Sequence, residues 1–586
     1  MKRLTIAVWV AVTLALVLAA CGRFPTSGPI ETVGDGGSGE RPTGIDVAAQ
    51  PPSDGASPEA ILEGFFAASE SPADGYAVAR QYLTDQAASS WRPEDGINIY
   101  DSSGQSRVIT ADGSAVVRAS LVGRLGSDHV FTAVRDTEYN HNFELTTVDG
   151  QWRINNPGEG ILMSRQRFQQ AFQPVSVYFL SSAGSRLVPQ QVFLRQAEFG
   201  SSAPDALVRA VIRGPGVWLR PAVLNALPDD VASSGTWVGD DGIARLALSE
   251  EIEALSADQR VQAAAQLLFT LSYFESIKGL QINVNNRPLS IPGADDDGII
   301  GFGALSGYNP ERPRAPRDLY AIQGSGIVRL PEVAGTAAVA LPGPLGAGWD
   351  QQPGRLAVSW QGTLVGVVNS DGTNLYRAAT IDGEPVEVYH GSALAKPQFD
   401  SAGRLWTLDN TADGVVAVQV PQQGTPLLVP IPEIGGGQVL SFRISPDLTR
   451  MAVIVQNGQT QQLGLLRLRG SDQGTIDGWR ELPLNTAAGQ IVAFGDVAFL
   501  SSGKMMVLGA SERDAQLSVY SFDVDAAQVT SQGPIRDVDV VALTAMPLDG
   551  TVAAAVVTST RLALRYEAQY RWEELLGDVS DAAYPS

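Results

Sequence analysis

Between residues 359 and 555 one short phrase returns five times: SWQGTLVGVV (359–368), FDSAGRLWTL (399–408), ISPDLTRMAV (444–453), FLSSGKMMVL (499–508) and MPLDGTVAAA (546–555). Each copy sets a polar turn, usually with glycine, between two short apolar segments. With Gly362, Gly403, Leu448, Gly503 and Gly550 as equivalent points, the steps are 41, 45, 55 and 47 residues. A strand-and-turn unit of that length cannot bury its apolar face alone and must stack on its neighbours, which is the signature of propeller blades. Five units are visible. A sixth is assembled from DLYAIQGSGIVRL (318–330) at the start and RLALRYEAQYRWEEL (561–575) at the end, closing the ring. The reading is a β-propeller of about five to six blades over 317–575, with a C-terminal tail at 576–586. A pair of β-sandwiches is the competing arrangement.

The other end of the chain fixes its surroundings. Lys2 and Arg3 precede an apolar run, Leu4 to Ala20, that is shorter than the roughly 20 residues of a spanning helix and ends in small side chains. It reads as an export signal over 1–20. Leu18-Ala19-Ala20-Cys21 resembles the lipobox of bacterial lipoprotein signal peptides. That resemblance implies cleavage between Ala20 and Cys21, a diacylglycerol on the Cys21 sulfur and acylation of the new amino group. An ordinary signal peptide with an incidental cysteine is the competing reading. Cys21 is the sole cysteine in 586 residues, so a lipidated Cys21 leaves no thiol for a disulfide, a metal or a nucleophile. The chain must then be stable through its cores, which its length permits. The expected place is the extracytoplasmic face of the cell membrane, held by acyl chains.

Residues 21–57 are rich in Gly, Pro, Ser and Asp without apolar periodicity. They read as a tether of roughly 30 Å as a coil and on the order of 110 Å stretched. The net charge is -22. An acidic chain lacks the positive face that nucleic acid requires, so no nucleic-acid partner is expected.

Ser57, Pro58 and Glu59 make a helix start, with Ile61, Leu62, Phe65 and Phe66 on one face. A second helix is expected over about Tyr76 to Trp91. Strands follow, with Asp149-Gly150 as a hairpin turn. Helices followed by a curved antiparallel sheet over 58–173 resemble the NTF2-like α+β cone. From Pro174 the pattern is strand, strand, helix, hairpin, helix, strand pair. Here stand Gly214-Pro215, Asp241-Gly242, the capping box Ser256 to Gln259, and a helix burying Val261, Ala264, Ala265, Leu268 and Leu271. With Val177 to Leu180, Leu187-Val188-Pro189 and Leu246 to Ser249, this order of motifs over 174–300 resembles the α+β GerMN domain. A linker is expected at 301–316.

Lipobox, the start CGRFPTSGPI, NTF2-like unit, GerMN unit and propeller, in this order, resemble the LpqB family of actinobacterial lipoproteins. The resemblance implies a non-enzymatic accessory to the MtrA–MtrB two-component system, acting through the extracellular part of the MtrB sensor kinase. The alternative is a binder or hydrolase of cell-wall glycan or peptide.

Chemistry-bearing motifs are sparse. The three histidines are His129, His141 and His390. The first two lie near Glu138 and Glu144, but no third ligand or HExxH spacing accompanies them, so no metal is expected. ADDDG (294–298) lacks the alternate-residue spacing of a calcium loop. Ser501 to Lys504 satisfies SxxK, but on a strand turn and without its companion motifs. There is no GxSxG elbow or P-loop, and no cofactor is expected. Paired carboxylates stay open among 63 acidic residues. Trp91, Trp152, Trp218, Trp360 and Trp406 are expected in packing.

Overall fold

The computed structural model describes residues 49–586 apart from 103–105, 110–113, 201, 311–314, 334, 471–473, 487, 536–537 and 549. The export signal, Ala20, Cys21 and most of the expected tether lie outside the described residues. The first unit opens as its sequence dictates. Ser57 accepts from the Ala60 amide, Pro58 takes the first position of α1 (Pro58–Ser69), and Ile61, Leu62 and Phe65 are buried. The expected second helix is instead two, α2 (Ala73–Arg80) and α3 (Asp85–Ser90). Leu83 leaves the helix to bridge Ile154, and Thr84 starts a new one by accepting from the Ala87 amide, a side-chain cap at the required spacing.

The sheet contains β1 (Gly96–Tyr100), β2 (Ser106–Ile109), β3 (Ser114–Gly126), β4 (Phe131–Val148), β5 (Gln151–Ile154) and β6 (Ile161–Ser164). Its order is β5-β4-β3-β1-β6, with β2 on β3. Strand β4 runs unbroken for 18 residues. A register shift between Leu121 and Gly123 bends the long pair, because a bulge adds one residue to one strand only. Phe65, Phe66, Trp91 and Phe143 fill the concave side at centroid separations of 5.2 to 6.5 Å. Asp149 and Gly150 take φ of 51° and 77°, the left-handed pair that a two-residue hairpin needs.

Helix α4 (Arg165–Ala171) leads into the second unit. Strands Phe172–Ser181 and Leu187–Arg195 pair antiparallel, and a second sheet is built on Ser233–Val238, Ile243–Leu248 and Gly279–Val284. Helix α5 (Ala203–Arg213) ends at Gly214, whose φ is 86°. Helix α6 (Ala257–Leu271) carries the capping box. The expected single apolar face of α6 is too narrow a description. Every residue from Ala263 to Leu271 is buried, because strand Phe172–Ser181, α5, strand Gly279–Val284 and segment Phe302–Tyr308 enclose it. That last segment corrects the linker boundary. Leu305 is buried in this core and Phe302 meets Phe269 edge-on at 5.3 Å, so the unit runs to about Tyr308.

The remaining residues form six separate sheets of four or five strands among the described residues, a six-bladed propeller. The five recurring phrases are turns between adjacent strands of blades two to six, the first two in every blade but the fifth, where short strand Asn485–Thr486 comes before them. Blade one has no such turn. Its strands Leu319–Gln323, Gly326–Leu330 and Val339–Ala340 are completed by Val579–Ala583, which pairs with Leu319–Gln323. Two expectations are therefore corrected. Residues 576–586 are not a tail, since Val579, Ala582, Ala583 and Tyr584 are at most 5% exposed. RLALRYEAQYRWEEL closes nothing; it supplies the outer hairpin of blade six, and the ring closes one strand later.

Candidate functional site

The inner strands converge on the propeller axis, where a ligand channel would be sought. The space left there is only about 30 Å³, room for about one water. Polar side chains fill the rest and join each blade to the next. The Leu356 amide donates to Asp581 at 2.8 Å, and Lys396 Nζ reaches Asp581 at 2.6 Å and the Ala582 carbonyl at 2.8 Å. Away from the axis, exposed Arg355 joins blades two and three by donating to the Leu394 carbonyl at 2.8 Å. Gln398 exchanges two bonds with Ile444, at 2.7 and 3.1 Å. Ser441 and Arg443 donate to Asp496 at 2.5 and 3.3 Å, and Asp496 takes the Leu543 amide at 2.9 Å. The Tyr584 amide donates to Thr544 at 2.9 Å. Buried charges persist only when paired and hydrogen-bonded; here the carboxylates are spent as inter-blade fasteners.

The three folded units are sutured by the same kind of contact. His129, with φ of 62°, receives the Phe193 amide on its carbonyl at 2.9 Å and sets Nδ1 3.2 Å from the Phe193 carbonyl. Burial first, then Arg213, lowers the pKa of this imidazole. Phe131, Phe168, Phe172 and Phe193 stack across that boundary. Against the propeller, Arg450 donates to the Pro189 carbonyl at 2.7 Å, and Arg186 to Ser401 at 2.9 Å. Trp218 Nε1 donates to the Gly478 carbonyl at 2.6 Å while its own carbonyl accepts from Arg467 at 3.0 Å. Arg135 pairs with Glu481 at 2.8 Å. The turns of two recurring phrases, around Ser401 and Arg450, are thus docking points. Trp218 was expected only as packing. The signal for its role is Gly478, a left-handed glycine inside the strand Thr475–Glu481, where a glycine marks a close approach by another backbone or ligand.

The NTF2-like unit holds a polar cavity of about 940 Å³, lined by Trp91, Arg92, Arg124, Glu138, Tyr139 and His141 among others. Burial raises the Tyr139 hydroxyl above its ordinary range, and His141 Nε2 lies 3.1 Å from the Asn156 carbonyl. His129 and His141 are not brought together; twelve residues of hairpin strand, up to roughly 40 Å, separate them. His390 is exposed at the edge of blade two, opposite Asn374. Among the described residues no group of three His, Cys, Asp or Glu side chains is placed to hold a metal. Asp295 caps its own turn, accepting the amides of Asp297 and Ile299. Ser501 and Lys504 face each other across a strand turn.

An N-terminal α+β unit, a GerMN unit and a six-bladed propeller define the class: a multidomain chain of two α+β units followed by an all-β ring. Residues 51–169 match the model described as Lipoprotein LpqB, N-terminal domain; 327–586 match the Lipoprotein LpqB beta-propeller domain; and 176–290 match the model for sporulation and spore germination. The Lipoprotein LpqB of Cutibacterium acnes is 29% identical over 97% of both chains. That of Streptomyces avermitilis is 24% identical, covering 97% of this chain and 96% of the relative. Among solved structures, the tandem GerMN domains of the sporulation protein GerM from Bacillus subtilis share 19% identity, covering 28% of this chain and 60% of that one with a TM-score of 0.20. The chain belongs to the LpqB lipoprotein family. No helix of the described residues is long and apolar enough to cross a membrane.

Proposed function

We propose that this chain is a lipid-anchored accessory protein of the cell envelope, cleaved behind Ala20, acylated on Cys21 and held on the extracytoplasmic face of the membrane. There it modulates the MtrA–MtrB two-component system by contacting the extracellular part of the MtrB sensor kinase. Membership of the LpqB family carries the reading. It is supported by the build of residues 50–586, one compact body whose propeller axis is occupied by its own side chains. Such a body acts by touching a neighbour. To change signalling it must bind one kinase state better than the other, since equal binding shifts nothing. Attachment of both partners to one membrane raises their effective concentration, so a weak contact suffices. Immobilised kinase extracellular segment is expected to retain the purified full chain; no retention at tens of micromolar would sink the proposal. Cys21→Ser is expected to move the protein from the membrane to the soluble fraction.

A second reading, binding of cell-wall glycan or peptide, is favoured by the 940 Å³ polar cavity of the NTF2-like unit, a volume within the range of ligand pockets. Co-sedimentation with purified cell wall, abolished by filling the cavity through Gly158→Trp, would support it. Released muropeptides would move it to a hydrolase.

A further inference from the structure

A different cavity, of about 630 Å³, lies where all three units meet. The NTF2-like unit contributes Arg124 and Asp128, the GerMN unit Gln191 and Trp218, and the propeller Arg480 and Asp525. Two of these side chains are left in an unusual state. Asp525 is 5% exposed and its Oδ1 takes the Ala527 amide at 2.9 Å, but its buried Oδ2 has no hydrogen-bond partner among the described residues. The guanidinium of Arg480 lies 4.6 Å over the Trp218 ring and reaches only the Val524 carbonyl, at 3.4 Å; its buried Nε is equally unpartnered. The two charges attract, yet no ion pair joins them among the described residues. Burial pushes the Asp525 carboxyl up to about 7 and holds the Arg480 guanidinium down to about 10.

Opposite charges that line one cavity with buried polar atoms unpaired are costly unless something else compensates them. An anion would match Arg480 and leave Asp525 uncompensated; a cation would do the reverse. A molecule with a carboxylate at one end and an ammonium at the other matches both. We propose that this junction cavity binds a small zwitterion of the amino-acid or short-peptide class, its carboxylate on Arg480, its ammonium on Asp525 and its body against the Trp218 ring. The volume falls within the range of small-molecule pockets. Because the walls come from three units, an occupant also fastens them together, and binding to the folded state raises its melting temperature. This site does not depend on the kinase reading.

The test uses the full chain in detergent with three probes: Ala-Ala, N-acetyl-Ala-Ala and Ala-Ala amide. Calorimetry and Trp fluorescence are expected to show Ala-Ala binding, with each capped form weaker by about tenfold or more, as loss of a charged contact requires. Asp525→Asn is expected to abolish discrimination against the acetylated form, and Arg480→Gln discrimination against the amide. Should a variant fail to fold, the three probes on the unaltered chain still decide. Equal binding of free and capped peptides, or no heat and no melting shift with any probe at about 10 mM, overturns the proposal.

Discussion

Arg450 shows how one side chain can serve two units. Its guanidinium meets Asp447 at 2.8 Å within its own turn and the Pro189 carbonyl at 2.7 Å across the unit boundary. Both charged side chains are at most 4% exposed. Such a pair adds little stability over an apolar substitute, but removing one member strands the other. Arg450→Ala is therefore expected to destabilise the chain by about 3–5 kcal/mol in urea unfolding, with part recovered in the double variant with Asp447→Ala. Asp525 gives a pH-dependent case. Its folded pKa, about 7, lies above its ordinary 3.8, so the folded state binds the extra proton. That contribution to stability is complete below about pH 4 and lost as pH rises through 7. Asp525→Asn is expected to melt above the parent at pH 8, with the gap shrinking towards pH 5, by differential scanning calorimetry. The turn around Leu448 was legible in sequence, since Leu448 takes φ of 63° where Gly362, Gly403 and Gly550 take 68°, 76° and 78°. The Pro189 contact was not, because 261 residues separate it from Arg450 and no local pattern encodes a partner that distant.

At the scale of elements, local signals were read well wherever they sufficed. The caps at Ser57 and Ser256, the hairpin at Asp149-Gly150 and the glycine stop at Gly214 all stand where their side chains or backbone freedom put them. Two segments owe their burial to partners distant in the chain. VSDAAYPS reads as a tail because so short a segment has no turn or periodicity of its own, and its burial comes from a ring it completes. Segment Phe302–Tyr308 reads as linker for the same reason, its partners lying on α6. Deleting residues 577–586 removes the inner strand of blade one together with Asp581, and leaves Lys396 buried without its carboxylate. Such a chain is expected to lose its cooperative thermal transition by circular dichroism and to be cut by protease within the propeller.

For the whole molecule, each unit was recognisable from its own stretch of sequence, whereas the seams were not. They are made by residues such as Trp218, Arg467 and Glu481, each unremarkable in its own segment. Trp218 is expected to couple GerMN unit and propeller. Trp218→Ala should split a single calorimetric transition into two, because domains joined by a weakened interface unfold separately. The ring closure has a further consequence, in time rather than in energy. Tyr320 pairs with Ala583, so 263 residues must be synthesised between the two halves of one blade. At about 5–20 residues per second that interval is roughly 13–53 s, during which the propeller cannot lock. Contacts this remote along the chain also form slowly. For a chain exported as proposed, a largest unit that cannot close until nearly its last strand is supplied is one that can still be threaded through a narrow pore.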